Sequence, residues 1–140
     1  MGRSFSFECG RCGYRARVAG GPDRGLNFFV QTILCRDCKE LYDAVIRWRI
    51  PAETPQQKLW NGLHRPKTGL RPRPPAAAPG FHAVLNRLPY RGVRHFKWLH
   101  FKPQCPTSPF HSVEEWNERD KCPRCGLELE KSALPYRIWD

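Results

Sequence analysis

Six of the chain's seven cysteines stand in three Cys-x-x-Cys pairs: Cys9 with Cys12, Cys35 with Cys38, and Cys122 with Cys125. Two thiolates at that spacing can grip one metal ion from a single turn, and two such pairs make the four-sulfur tetrahedron that suits Zn²⁺. The seventh, Cys105, stands alone with 16 residues between it and Cys122. Only 22 residues separate the first pair from the second. Closing the shorter loop costs less entropy, so Cys9, Cys12, Cys35 and Cys38 are expected to share one zinc. Cys122 and Cys125 then need two further ligands. Cys105 is one, and a histidine must be the other because no cysteine remains. His111, at the end of "CPTSPFH", is the favoured partner, giving a second site of three cysteines and one histidine. The alternatives are His100, just ahead of Cys105, or no complete second site. The pairs can also exchange: the first can share a metal with the third, leaving Cys35 and Cys38 to Cys105 and His111.

The same residues bear on catalysis. A catalytic zinc keeps one position open for water, whereas four protein ligands close the site. A zinc deaminase needs His-x-Glu ahead of its Pro-Cys-x-x-Cys, and no histidine here is followed two residues on by Glu. No P-loop, Gly-x-Ser-x-Gly or His-Glu-x-x-His occurs, and no Asp-His dipeptide of the kind common in metal-dependent nucleases. A non-catalytic protein is expected, with metals that stabilise a fold too small to hold itself together.

The stretches "CGRCGY…CRDC" and "CPRCGLELE…YRIWD" resemble zinc ribbons, the knuckle-and-hairpin superfamily of small zinc-binding proteins. The resemblance covers about residues 5–50 and 105–140. It implies structural zinc and a β-rich fold, and it points to no single activity. The C-terminal half departs from the usual pattern, because Cys105-x5-His111 stands where a second Cys-x-x-Cys would be expected.

Composition agrees with a reducing compartment. The opening "MGRSFSFECG" has no apolar core of a secretory signal, and closely paired cysteines without one suggest metal sites over disulfides. A cytoplasmic protein is expected, or a nuclear one in a eukaryote. Mean hydropathy is −0.64, and no apolar run is long enough to span a bilayer, so no membrane partner is expected.

The elements that must position the ligands follow from local pattern. "YRARV" (Tyr14 to Val18) and "FFVQTIL" (Phe28 to Leu34) have strand content, and "AGGPDRG" between them is turn chemistry, which predicts a hairpin with a knuckle on each side. Leu41 to Ile50 alternates as a third strand, while Leu41, Val45 and Trp48 also fit helical spacing. Thr54, Pro55, Gln57 and Gly62 frame a short helix. Five prolines between Arg65 and Gly80 make an extended linker. Ser112 and Glu115 form a capping box, which predicts a short helix carrying Trp116. "LELE" and "YRIWD" predict a final hairpin. The expected architecture is therefore β-rich and metal-stabilised. Two zinc-ribbon-like lobes, residues 1–50 and 104–140, are joined by a basic, Pro-rich and aromatic connector, residues 51–103, with one or two short helices.

The charge is concentrated in the middle. Residues 47–102 carry 12 Lys/Arg against one Asp/Glu, with aromatic residues interleaved. Cations neutralise phosphates and release counterions, and aromatic rings stack on unpaired bases. The residues expected to meet RNA or DNA are Arg65, Lys67, Arg71, Arg73, Arg91, Arg94 and Lys97, with Trp98 as a stacking platform. The competing class is a protein-interaction module, since a Pro-rich basic arm can also dock on a protein complex. No small-molecule substrate is indicated.

Overall fold

In the computed structural model, residues 1–52, 56, 59, 60, 63, 77–86 and 95–140 are described. The element order is β1 (Gly2–Glu8), β2 (Arg15–Val18), β3 (Pro22–Arg24), β4 (Phe28–Cys35), β5 (Glu40–Pro51), α1 (Phe81–Leu85), β6 (Phe96–His100), β7 (Val113–Glu115), β8 (Glu130–Lys131) and β9 (Arg137–Trp139). Among the described residues all strand pairings are antiparallel and fall into two sheets. In the first, β1 pairs with β2, β8 and β9. In the second, the order is β3-β4-β5-β6, and β7 also pairs with β4. Gln56, Leu59, Trp60 and Leu63 are helical, in the stretch where a short helix is expected.

The strands over 14–18, 28–34 and 41–50 form as the sequence pattern predicts, but with other partners. β2 does not pair with β4. Gly20 and Gly21, with φ of 91° and 149°, carry the chain out of the first sheet, and Pro22–Arg24 becomes a strand of its own against Phe29–Gln31. Each of the first two knuckles instead sits at the tip of a hairpin. Cys9 and Cys12 lie between β1 and β2, and Cys35 and Cys38 between β4 and β5.

Two further expectations are corrected at the C-terminal end. Residues after Ser112 form β7, not a capped helix, because Val113–Glu115 pair with Ile33–Cys35. The backbone N–H of Ser112 donates to Asp37 Oδ2 at 2.9 Å, and Arg36 N donates to Ser112 O at 3.0 Å, so the would-be cap is already engaged with the second knuckle. Likewise β8 and β9 do not form a hairpin together; both pair with β1.

These pairings join the two ends of the chain, and the expected separate lobes are replaced by shared sheets and shared cores. Trp116 is fully buried edge-on against Phe7, ring centroids 5.2 Å apart, with its indole N–H donating to Lys121 O at 3.1 Å. Trp139 stacks on Phe28 at 4.6 Å, and its N–H donates to Ser4 Oγ at 3.2 Å. Truncating a buried ring of this size costs about 3–5 kcal/mol, so each tryptophan of the C-terminal segment is a main tie to the N-terminal one. Trp48 is buried in the second core, with Phe81 and Phe101 packed against it. Of these aromatics of the basic middle, Trp48 is therefore a core residue and Phe81 and Phe101 are half-buried on the same core.

A buried polar cluster fixes the crossing between sheets. Thr32, fully buried, accepts hydrogen bonds at Oγ1 from Gly20 N and Gly21 N at 3.0 and 3.1 Å and donates to Asp43 Oδ1 at 2.7 Å. Ala19 N donates to both Asp43 carboxylate oxygens at 3.0 Å. Burial pushes Asp43 up to about 6, against the pull of Ala19 N–H and the Thr32 hydroxyl, and Asp23 pushes the same way. A carboxyl with a folded pKa above its unfolded value holds an extra proton in the native state between the two. Its stabilising contribution is complete below the unfolded value and is lost as pH rises through about 6. Between pH 5 and 7.5, wild type is therefore expected to lose roughly 1 kcal/mol relative to Asp43→Asn. Urea titrations of both proteins at each pH check this; a parallel pH dependence would show that Asp43 is ionised throughout.

Among the described residues, no helix is long and apolar enough to cross a membrane.

Candidate metal centres

The knuckles at 9–14 and 122–127 have the same backbone. Cys9 N donates to Tyr14 O and Gly13 N to Cys9 O; correspondingly, Cys122 N donates to Leu127 O and Gly126 N to Cys122 O. Gly13 and Gly126 both lie in the left-handed region, φ 70° and 75°. In the knuckle at 35–39 the equivalent position is Lys39, φ 54°, the one non-glycine with positive φ among the described residues. A side chain there costs about 1 kcal/mol. Lys39→Gly is expected to raise stability by several tenths of a kcal/mol, the strain relieved exceeding the entropy that a glycine adds to the unfolded chain. Gly126→Ala should lower it by about 1 kcal/mol or more. Thermal denaturation at fixed metal load reads both.

Two sets of four ligand atoms converge, each within 4.8 Å: Cys9, Cys12, Cys122 and Cys125, and Cys35, Cys38, Cys105 and His111. In the first, Cys9 Sγ is 3.3 Å from Cys125 Sγ and Cys12 Sγ is 3.7 Å from Cys122 Sγ. In the second, Cys38 Sγ lies 3.7 Å from Cys105 Sγ, and His111 Nδ1 lies 3.4 Å from Cys38 Sγ and 3.6 Å from Cys35 Sγ. A tetrahedral ion with bonds near 2.3 Å to sulfur and near 2.0 Å to nitrogen requires edges of about 3.8 Å and about 3.5 Å. Four of the five separations lie close to those edges, and Cys9–Cys125, at 3.3 Å, is shorter. Both sets can hold a metal ion.

The pairing corrects the sequential expectation and takes the exchanged form. The eight residues are those predicted, His111 included, but the first knuckle meets the third and the second meets Cys105 and His111. Between Cys12 and Cys122 lie 109 residues, against 22 between Cys12 and Cys35. By loop closure alone that difference is worth only about 1.4 kcal/mol. The ladder that brings β8 onto β1, and Trp116 packed against Phe7, outweigh it. A signal was present in the sequence: "CGRCG" and "CPRCG" share C-x-R-C-G, and "CRDCK" lacks the glycine. His100, the other histidine considered, lies opposite Arg47 at the β5–β6 edge.

Within each set the thiols differ in how readily they ionise. N–H groups of Cys12 and Arg11 pull the Cys9 thiol down to about 6. On Cys125, the pull of the Leu127 N–H is outweighed by neighbouring Cys9 and by burial, which push it up to about 12. In the second set burial pushes Cys35 up to about 11. Burial also opposes ionisation of Cys105, but the N–H groups of Ser108 and Thr107, with His111, bring it down to about 6. Each set thus favours one thiolate and, through burial and neighbouring sulfurs, resists another; a bound cation would offset the cost of ionising the second.

Links between the two centres are short. Tyr14, in the first knuckle, accepts a hydrogen bond at its hydroxyl from Leu41 N at 2.8 Å, just beyond the second knuckle. Arg124 pairs with Glu40 at 3.2 Å and lies over the Tyr14 ring at 4.9 Å. Arg36 pairs with Glu114, tying the second knuckle to β7.

Of the residues expected to meet nucleic acid, Lys97 and Trp98 are on β6 and exposed. Arg65, Lys67, Arg71, Arg73, Arg91 and Arg94 lie outside the described residues. Sequence reasoning passed over Arg47 and Arg49, which share a sheet face with Trp98; the alternating "RWR" of β5 was the available signal.

Comparison with protein-family models, with curated proteins and with solved structures gives no match.

Proposed function

We propose that this is a non-catalytic zinc-binding protein whose basic middle segment contacts RNA or DNA. The observation that supports it is the pair of complete four-ligand sets at tetrahedral spacing. Three or four thiolates with at most one imidazole suit Zn²⁺, and four protein ligands leave no position for a reacting water. Zinc then acts by holding the ends of the chain together. The nucleic-acid reading rests on charge: 12 cations against one acid over residues 47–102, with Lys97 and Trp98 presented on β6.

Metal analysis of protein from medium containing both zinc and iron tests the first part. Two zinc ions per chain are expected; iron in the four-cysteine site would overturn it. Binding of mixed-sequence oligonucleotides across a salt series tests the second. A log–log slope of about −2 or steeper, as several neutralised phosphates require, is expected. The alternative is docking on a protein partner, favoured by Phe110, which is 95 % exposed beside His111. Binding that is insensitive to salt and lost in Phe110→Ser would select that alternative.

A further inference from the structure

The β5–β6 end of the second sheet presents cations and aromatic rings together on one face. Cross-strand register sets Arg24 beside Phe29, Phe29 beside Arg47, and Arg49 beside Trp98. The Arg47 guanidinium lies 5.0 Å from the Phe29 ring and 5.5 Å from Trp98, and Arg49 lies 3.7 Å from the Phe96 ring. Phe29 and Trp98 are 5.1 Å apart, and Trp98 is 36 % exposed. Among the described residues, Arg24, Arg47 and Arg49 form no ion pair with any acid, and the buried Nε of Arg47 has no hydrogen-bond partner. Rings, with no carboxylate, lie against the Arg47 and Arg49 guanidiniums.

We propose that this face is a stacking platform for single-stranded nucleic acid, which rests on the nucleic-acid reading above and names its site. Flat π surfaces accept any unpaired base, and arginines fixed on those rings can meet the phosphates between successive bases. A duplex hides its base faces and leaves only the charge term. The face is cationic without an acid on β5 from Arg47 to Pro51 or on β6, so a polyanion is complementary to it.

The test is fluorescence anisotropy on the full-length, metal-loaded protein with labelled single strands of about twelve nucleotides, RNA and DNA in turn, and a duplex of equal length. Single strands are expected to bind at least tenfold more tightly than the duplex. Trp98→Ala should lose about tenfold, Trp98→Phe should recover most of it, and Arg49→Glu should lose at least as much as Trp98→Ala. Unchanged metal content shows that each variant is folded. Wild-type binding that persists in Trp98→Ala and Arg49→Glu but fails in Arg71→Ala/Arg73→Ala would overturn the platform and leave the broader reading standing. Polyglutamate competing as well as the oligonucleotide would also overturn the platform, as a surface for any polyanion. Failure of the wild type to bind any oligonucleotide at low salt would overturn both.

Discussion

Cys12→Ser/Cys125→Ser is expected to retain one metal ion per chain, and Cys12→Ser/Cys38→Ser to retain none. The first double variant removes two ligands of one set and leaves Cys35, Cys38, Cys105 and His111 complete; the second takes one ligand from each set. Sequential pairing gives the opposite result, because Cys12 and Cys38 would then share a site while Cys12 and Cys125 would not. A missing thiolate typically costs a structural site most of its affinity, so the two outcomes differ by a whole ion per chain. Metal content after gel filtration reads this directly. Cobalt substitution gives a second reading independent of stoichiometry: Cys12→Ser/Cys125→Ser should keep the spectrum of a site with three sulfurs and one nitrogen, and His111→Cys should change that spectrum alone.

Removal of both ions is expected to unfold the whole chain, in one transition at its two ends. Structural zinc contributes on the order of 10 kcal/mol to folding in small domains, comparable to the entire stability of a chain this size. The first set joins a knuckle near the N-terminus to one near the C-terminus, and the second joins the β4–β5 hairpin to the loop before β7. Losing either therefore loosens both sheets. Addition of a strong chelator should abolish the near-ultraviolet dichroism of Trp116 and Trp139 together with far-ultraviolet β signal, and zinc should restore both. If residues 1–50 instead kept a folded signal of their own, the shared cores around Phe7 with Trp116 and Phe28 with Trp139 would not be what holds them.

The sequence by itself marked the seven cysteines as candidate ligands and put His111 ahead of His100 as the eighth. Thiolates at Cys-x-x-Cys spacing are a local property, and so was the count that forced a histidine into the second set. The strands at 14–18, 28–34 and 41–50 were likewise legible, since alternation and β-branched content act within a few residues. What only the tertiary structure decided was who meets whom. The expected hairpin between β2 and β4 failed because Gly20 and Gly21 turn the chain out of the first sheet, whereas the helix after Ser112 and the terminal hairpin failed because strands of three or two residues gain little from their neighbours in sequence and pair where a longer strand offers an edge, as β1 does for β8 and β9 and β4 does for β7. The metal pairing followed from those ladders. Loop entropy varies only with the logarithm of loop length, so it ranks pairings weakly, and packing between distant segments overrides it.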